Sequence, residues 1–582
     1  MRTHAAQLVL DPAAGHVCGS RPSAAGHRWL LFLCLLAFVP AASTAPRPPA
    51  AAVASAHPEA TSAGREILEA GGNAFDAAVA VAAALAVVEP YSSGIGGGGF
   101  FLLHRAQDAF EVMVDARETA PGAASRNMYL DANGEVVPGL SLDGALAAGI
   151  PGLPAALVHV AARYGRLPLA HNLAPAIRLA EAGFAVTPKY AAMAQVRLAA
   201  LQKDPQTAGI FLVSGKPPPE GALLRQPDLA TTLRALAERG HAGFYEGEVA
   251  RRLVAGVRAG GGVWQAEDLV GYQVKERRPV VGNYRGIRVV SAPPPSSGGV
   301  ALIETLNMLE PYDLGQFDRV RRTHVIVEAM RRAYRDRAEY LGDPDFVSVP
   351  VWKLLDPRWA AYTGMDIHLD RATPSRALKP IAPPPQGDHT THLSVLDMQG
   401  NRVAATLSIN YPFGAAFTPA GTGVLLNDEM DDFSAKPFAP NGYGLVGTEA
   451  NSIAPGKRPL SSMTPTFLEH QDRVAILGTP GGSRIISMVL LGVLAYEEGL
   501  PVSGWVATPR FHHQYLPDEI QHEAGAFDDA TRAGLSALGH VLKKVDRDYG
   551  NMQAILWQRG AGEVSAASDP RGEGTAEVFV PR

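Results

Sequence analysis

Cysteine is almost missing from this chain: there are two, Cys18 and Cys34, and both lie in the first 45 residues. Whatever follows that stretch has no disulfide framework, no thiolate metal ligand and no cysteine nucleophile. Long apolar runs are missing too. The stretches 29–39 and 77–88 fall well short of the roughly 20 residues that a membrane-spanning helix needs. No long basic run occurs, and 52 Lys and Arg stand against 57 Asp and Glu for a formal charge of −5. Nucleic acid is therefore excluded as a partner, because phosphate binding wants a concentrated cationic face. The chain also lacks the Gly-x-Ser-x-Gly elbow, which removes the Ser-His-Asp hydrolases built on it.

What is present first is an export signal. Arg21 and Arg28 precede the apolar run 29–39, and small residues follow as far as Ala45. A charged region, a short apolar core and an Ala/Ser/Thr zone make a secretory leader over 1–45, so the expected location is secreted or periplasmic, with no membrane contact in the mature form. Leu31, Phe32 and Leu33 before Cys34 lack the small residue of a lipidation site. Removing Arg2, Arg21, Arg28 and Asp11 takes away a net +2, so the mature charge becomes −5 − 2 = −7.

Residues 46–56 are Pro/Ala-rich and read as a flexible lead-in. Helical patterning starts after His57. A first helix over 59–69 is stopped by Gly71 and Gly72, and Asn73 caps a second through Val88, with Asp76 in its first turn and Pro90 ending it. The glycines from Gly94 to Gly99 could cradle phosphate, but no Lys-Ser/Thr follows, so close backbone packing is the reading adopted. The middle of the chain is mostly helical, with amphipathic runs over 167–182 and 321–339. A Pro/Gly-rich, aperiodic segment over 381–389 then runs abruptly into period two: Thr390 to Asp397, a turn at Gly400-Asn401, and Arg402 to Ser408. That is a strand hairpin behind an accessible linker, a place where processing is physically possible.

The segment Thr390-Thr391-His392-Leu393-Ser394-Val395 resembles the start of the small subunit of γ-glutamyltransferases. Leu425 to Ser434, Lys457 to Pro465 and Thr479 to Arg484 resemble later segments of that family in order. Gly71 to Ala74, Asp115 to Glu118 and Ala148 to Gly152 match its large-subunit part. The likeness runs from His57 to the C-terminus. It implies an α+β fold, the four-layer αββα sandwich of the N-terminal-nucleophile hydrolases. It also implies self-cleavage between His389 and Thr390, giving a large subunit 57–389 and a small subunit 390–582 that stay together as a heterodimer in one αββα unit. His389 stands where bacterial relatives often have glutamine, and Leu393 replaces a common aromatic.

The chemistry fits that implication. A threonine hydroxyl is a weak nucleophile without a base, and a freed α-amine, with a reference pKa of about 7.7–8.0, supplies one. Cleavage thus makes the catalyst. Thr391 is the rival nucleophile, and the family places the cut before the first of the pair. Ser408 falls where the family has a threonine that supports the nucleophile. The resemblance assigns Arg117, Ser461 and Ser462 to the carboxylate of an amino-acid-like substrate and Asp432 to its ammonium, with Glu429 and Asn410 assisting. Gly481 and Gly482 become the oxyanion hole, and residues 437–447 a lid in which Tyr443 bonds Asn410. The implied donors are glutathione and other γ-glutamyl compounds, and the implied acceptors are water, amino acids and dipeptides.

No cofactor is implied. His512, His513, Asp518 and His522 lack helical ligand spacing, and adjacent strand histidines point to opposite faces, so no metal site is expected there. Two other functions share the sequence features: an acylase cleaving glutaryl-type side chains from β-lactams, and a catalytically inactive secreted homologue.

Overall fold

Two antiparallel sheets lie face to face in this protein, whose computed structural model describes residues 46–378, 390–436 and 447–582. The expected leader 1–45, His389 and Tyr443 lie outside the described residues. One sheet has seven strands, in the order Thr575–Phe579, Ala51–Ser55, Thr391–Leu396, Arg402–Ser408, Gly98–Arg105, Phe110–Ala116 and Lys275–Arg277. The other has six: Glu563–Ser568, Gln553–Gln558, Arg473–Gly478, Thr466–His470, Ile287–Ser291 and Val280–Tyr284.

Period-two alternation decides which side chains go where. In Gly98–Arg105, Phe101 and Leu103 face a helical layer, whereas Phe100 and Leu102 face the second sheet. The first layer contains Pro58–Glu69, Ala74–Val88, Leu153–Tyr164 and Leu169–Ala182. Gly298–Leu309, Arg319–Tyr340 and Ile485–Glu497 cover the other side. The order helix, sheet, sheet, helix is the αββα sandwich.

The helices start where their caps require. His57 Nδ1 accepts the Glu59 N–H at 3.2 Å. Asn73 and Asp76 exchange side-chain bonds with each other's backbone N–H in a capping box. Ala74–Val88 is buried on every side, so it is apolar all round rather than striped. Each fully buried Val or Leu there contributes about 1.5–3 kcal/mol.

Residues 46–56 differ from expectation. Ala51–Ser55 is a buried strand, paired with Thr575–Phe579 on one side and Thr391–Leu396 on the other. Its Ala-rich composition resembles a linker. In fact small side chains let the strand sit between the sheet partner on one face and the helix Ala74–Val88 layer on the other, and a five-residue run is too short to reveal its period.

The hairpin forms as its sequence indicates. Asp397 Oδ1 accepts the Gln399 and Asn401 N–H groups at 2.9 and 3.0 Å, and Gly400 turns the chain at φ 91°. Asp397 Oδ2 also accepts the Ala74 N–H at 3.0 Å, tying the hairpin to the first helical layer. The glycine-rich loop packs behind the hairpin's far end. A Cβ on Gly97 would stand 2.1 Å from the Ser408 carbonyl oxygen, so only glycine fits.

Candidate active site

The hairpin brings Thr390 to Ser408. With Thr391 opposite Leu407 in the ladder, Thr390 Oγ1 falls 3.5 Å from Ser408 Oγ. Ser408 Oγ in turn accepts the Asn410 N–H at 2.8 Å. Asn410 has φ 73°, a left-handed conformation that asparagine tolerates, and its Nδ2 donates to the Asp428 carbonyl at 3.0 Å. Thr391 points the other way, as alternation demands. Its hydroxyl donates to Glu89 Oε2 at 2.7 Å, and burial pushes the Glu89 carboxyl up to about 7.

Three sequence segments meet at Asn427. Its Oδ1 accepts the Gly149 N–H at 2.9 Å, and its Nδ2 donates to the carbonyls of Gly96 and Gly149 at 2.7 and 2.8 Å. Its Oδ1 also accepts the Glu429 N–H at 2.9 Å, which starts the 3-10 turn Glu429–Asp432. That turn presents both acids to Arg117. The buried guanidinium binds Glu429 through one terminal nitrogen and Asp432 through the other, while Nε donates to the Pro459 carbonyl at 3.2 Å. The sequence reading gave Arg117 and Asp432 to opposite ends of a ligand; here they hold each other, which is how two buried charges satisfy themselves. Burial pushes the Asp432 carboxyl above the ordinary range, and Arg117 pulls it back. Glu118, 3.5 Å from Arg117, is pushed up to about 7 by burial.

Ser461 and Ser462 come from the other side of the sandwich. Ser461 Oγ accepts the Met463 N–H at 3.0 Å. Ser462 Oγ accepts from Arg337 at 3.2 Å, and Arg337 Nε donates to Ser297 Oγ at 2.9 Å. Burial lowers the Arg337 guanidinium to about 10, so it stays charged at neutral pH. Arg337 and Glu89 were not among the residues singled out in the sequence. Arg337 is one of several arginines in Arg319–Tyr340, and nothing in the helical period distinguishes the one that turns inward.

Gly481 and Gly482 have φ 139° and 52°, both in the region that glycine adopts freely. They lead from the strand Arg473–Gly478 into a 3-10 turn and then the helix Ile485–Glu497. Backbone N–H groups at such a junction have no helical partner and carry the positive end of the helix dipole, a setting for a developing oxyanion.

These residues share one cleft, of about 300 Å³ including its open mouth. Arg117, Thr390, Ser408, Asn410, Glu429, Asp432, Ser461, Ser462 and Gly482 all line it. Gly481 lines an adjoining recess, which also reaches Thr390. Tyr443 and His389, the lid and cleavage residues of the sequence reading, lie outside the described residues.

The histidines weighed as metal ligands have protein partners. His512 Nδ1 and Nε2 are 2.9 Å from Ser487 Oγ and Gln514 Oε1 respectively. His513 is 3.3 Å from Asp518, which also pairs with Arg331 and accepts the Ser375 N–H at 2.7 Å, and His522 Nδ1 bonds the Glu523 carbonyl at 2.9 Å. A different buried group, His324, Glu328 and His540, brings its ligand atoms within 4.8 Å of one another. Arg331 and Arg332 both pair with Glu328, and two guanidinium groups oppose a bound cation.

Comparison with known proteins gives concordant results. The family model described as gamma-glutamyltranspeptidase matches residues 60–579. The chain is 45% identical over 512 residues to the glutathione hydrolase proenzyme of Pseudomonas sp. (strain A14), covering 87% of this chain and 89% of that protein. It is 41% identical over 525 residues to the glutathione hydrolase proenzyme of Escherichia coli (strain K12), with 89% and 90% covered. The solved cephalosporin acylase of Bacillus halodurans matches with a TM-score of 0.80 at 29% identity, over 91% of this chain and 96% of that one.

Proposed function

The chain belongs to the gamma-glutamyltranspeptidase family, and from that membership we propose that it cleaves itself before Thr390 and works through a γ-glutamyl ester on that threonine. It is a γ-glutamyltransferase and glutathione hydrolase on the αββα N-terminal-nucleophile hydrolase fold. Its donors are glutathione and related γ-glutamyl compounds, and water, amino acids and dipeptides take up the acyl group.

In processing, Thr390 Oγ attacks the His389 carbonyl and the peptide C–N bond breaks. Water then hydrolyses the ester, leaving a carboxylate on His389 and an α-amine on Thr390. In turnover that amine takes the Thr390 hydroxyl proton as Oγ attacks the donor's γ-carbonyl. Ser408, 3.5 Å away, supports the hydroxyl, and it is itself fixed by the Asn410 N–H. The N–H groups of Gly481 and Gly482 receive the oxyanion; one such donor is worth about 3 kcal/mol in comparable sites. The leaving amine takes the proton, and water or an acceptor amine then opens the ester.

The donor's α-amino acid end goes to the charged part of the cleft. Its ammonium replaces the Arg117 guanidinium at Asp432, with Glu429 and Asn410 beside it. Its carboxylate takes the released guanidinium and the Ser461 and Ser462 hydroxyls. The observation that carries the reading is the single cleft that holds Thr390 and Ser408 together with Arg117, Asp432, Ser461 and Ser462.

The large part 57–389 and small part 390–582 are proposed to remain one heterodimer after the cut. The seven-stranded sheet takes four strands from before it and three from after, and the six-stranded sheet two and four. Neither product could close its sheets alone. Export through the 1–45 leader is part of the same proposal; among the described residues no helix is long and apolar enough to cross a membrane.

A glutaryl-type acylase is the second reading, favoured by the likeness to the cephalosporin acylase. Rates on γ-glutamyl and glutaryl anilides separate the two. The transferase reading expects the γ-glutamyl compound to be preferred at least about 100-fold, since the amine's ionic contact is worth about 3 kcal/mol. Preference for the glutaryl compound would replace it with the acylase, and a processed chain inactive on both would mark a non-catalytic homologue.

A further inference from the structure

Ser461 and Ser462 line the cleft, and Arg337 backs them from outside its wall. The arginine belongs to the helix Arg319–Tyr340, in the large part of the chain, whereas both serines belong to the small part. Its Nη2 donates to Ser462 Oγ at 3.2 Å and its Nε to Ser297 Oγ at 2.9 Å. Ser297 Oγ in turn donates to the Ser461 carbonyl at 2.7 Å, and the Ser297 N–H reaches the same oxygen at 2.8 Å. One guanidinium therefore braces both serines. Its own helix is pinned to the site as well. Tyr334, three residues earlier on the same face, donates its hydroxyl to the Ser483 carbonyl just after Gly482.

These contacts fix the polarity of the two hydroxyls. A serine hydroxyl has one proton to give and two lone pairs that receive. Ser462 Oγ receives from a guanidinium, which has no acceptor of its own, and Ser461 Oγ receives from the Met463 N–H at 3.0 Å. Each hydroxyl keeps its proton for the cleft, which is the polarity a carboxylate requires. Charge works in the same direction. Arg337 is 3% exposed and forms no ion pair among the described residues. Burial lowers its guanidinium to about 10, and Tyr334 and Asp432 pull it back up, so it stays a cation at neutral pH. Arg117, by contrast, is matched by Glu429 and Asp432. A donor whose ammonium takes Asp432 leaves the Arg337 charge for its α-carboxylate.

We propose that Arg337 is a positioning residue for the donor's α-carboxylate. It holds Ser462, and Ser461 through Ser297, with their protons toward the cleft, and it sets a buried positive charge behind them. Donors that carry an α-carboxylate are thereby selected over donors that lack one. The proposal rests on the transferase reading above and adds to it a specificity determinant that the large part supplies to serines of the small part.

The test uses processed enzyme and two donors: a γ-glutamyl anilide, and a 4-aminobutyryl anilide, which keeps the amine and lacks the α-carboxylate. The quantity read is the ratio of kcat/KM for the first to that for the second. Wild type should favour the γ-glutamyl compound at least about 100-fold. Arg337→Gln should lower that ratio about tenfold, through KM for the γ-glutamyl anilide rather than through kcat. A general disturbance of the fold would lower both donors together and leave the ratio where it was. If Arg337→Gln does not process, Ser297→Ala is read in its place, because it removes only the hydroxyl that aims the guanidinium; the same direction of change is expected. A wild-type ratio near one, or a ratio that the substitution leaves within about threefold, overturns the role of Arg337. Turnover of the γ-glutamyl anilide in that case leaves the transferase reading standing, whereas a wild type inert to it removes both.

Discussion

Replacing Asp432 by asparagine should reverse the site's preference between donors with and without an α-amino group. Arg117 and Arg337 bring two positive charges to the cleft, and Glu429 and Asp432 bring two negative ones. Glu118, pushed up to about 7 by burial, carries only part of a charge at neutral pH. A zwitterionic γ-glutamyl end therefore enters without upsetting the balance, whereas a glutaryl end adds one uncompensated negative charge. In a cleft this enclosed, an unpaired charge costs about 2–5 kcal/mol. Asp432→Asn leaves one positive charge in excess, which the glutaryl end now neutralises and the γ-glutamyl ammonium no longer does. Taking about 3 kcal/mol for each effect, γ-glutamyl turnover falls about 100-fold and the ratio of the two donors shifts by at least about 1,000-fold. Arg117 keeps Glu429 as a partner, so the chain should still fold and process. The assay is kcat/KM for γ-glutamyl and glutaryl anilides on both enzymes. A parallel fall of the two, with the ratio held within about threefold, would refute the charge argument.

Ser408→Ala removes the hydroxyl beside Thr390 and the acceptor of the Asn410 N–H. Activity should drop about tenfold, the worth of one hydrogen bond of about 1–1.5 kcal/mol, and processing should slow in parallel; unchanged rates in both would dissociate Ser408 from the nucleophile. Glu89 gives a pH signature. Its folded carboxyl, raised to about 7 from 4.5, binds a proton that the unfolded chain has already released, so its contribution to stability falls as pH rises from 4.5 to 7. Glu89→Gln should abolish that loss, about 3 kcal/mol at most, and unfolding curves at pH 5 and pH 8 would show it; an equal pH dependence in both proteins would contradict it. Finally, a chain beginning at His57 lacks the strand Ala51–Ser55 and exposes the facing edges of Thr391–Leu396 and Thr575–Phe579. It should be insoluble or unprocessed, while a chain beginning at Pro46 should behave normally; equal yields of active enzyme would mean the strand is dispensable.

Local signals in the sequence were the ones that transferred to the structure. Asn73 with Asp76 marks a helix start by side-chain geometry that needs no tertiary partner. The hairpin before and after Gly400 is legible because its period, its turn residues and the chain register agree. Thr390, Ser408 and the acid-bearing turn Glu429–Asp432 could be proposed from ordered motifs, and they do meet in one cleft. What stayed hidden depends on distant partners. Ala51–Ser55 reads as a linker because alanine carries no period, and its burial is decided by strands several hundred residues away. Arg337 holds Ser462 from a helix whose other arginines serve different ends. The mutual grip of Arg117 on Glu429 and Asp432 follows from burying all three side by side, a condition that residue types alone do not express.

In the proposed function, Thr390 is made into the catalyst by its own cleavage. Intact mass and N-terminal sequencing of purified wild type beside Thr390→Ala test it most directly. Two wild-type fragments are expected, one beginning Thr390-Thr391-His392, beside an uncut, inactive mutant. An uncut wild type, a new end at another residue, or a Thr390→Ala chain that still cleaves would contradict it.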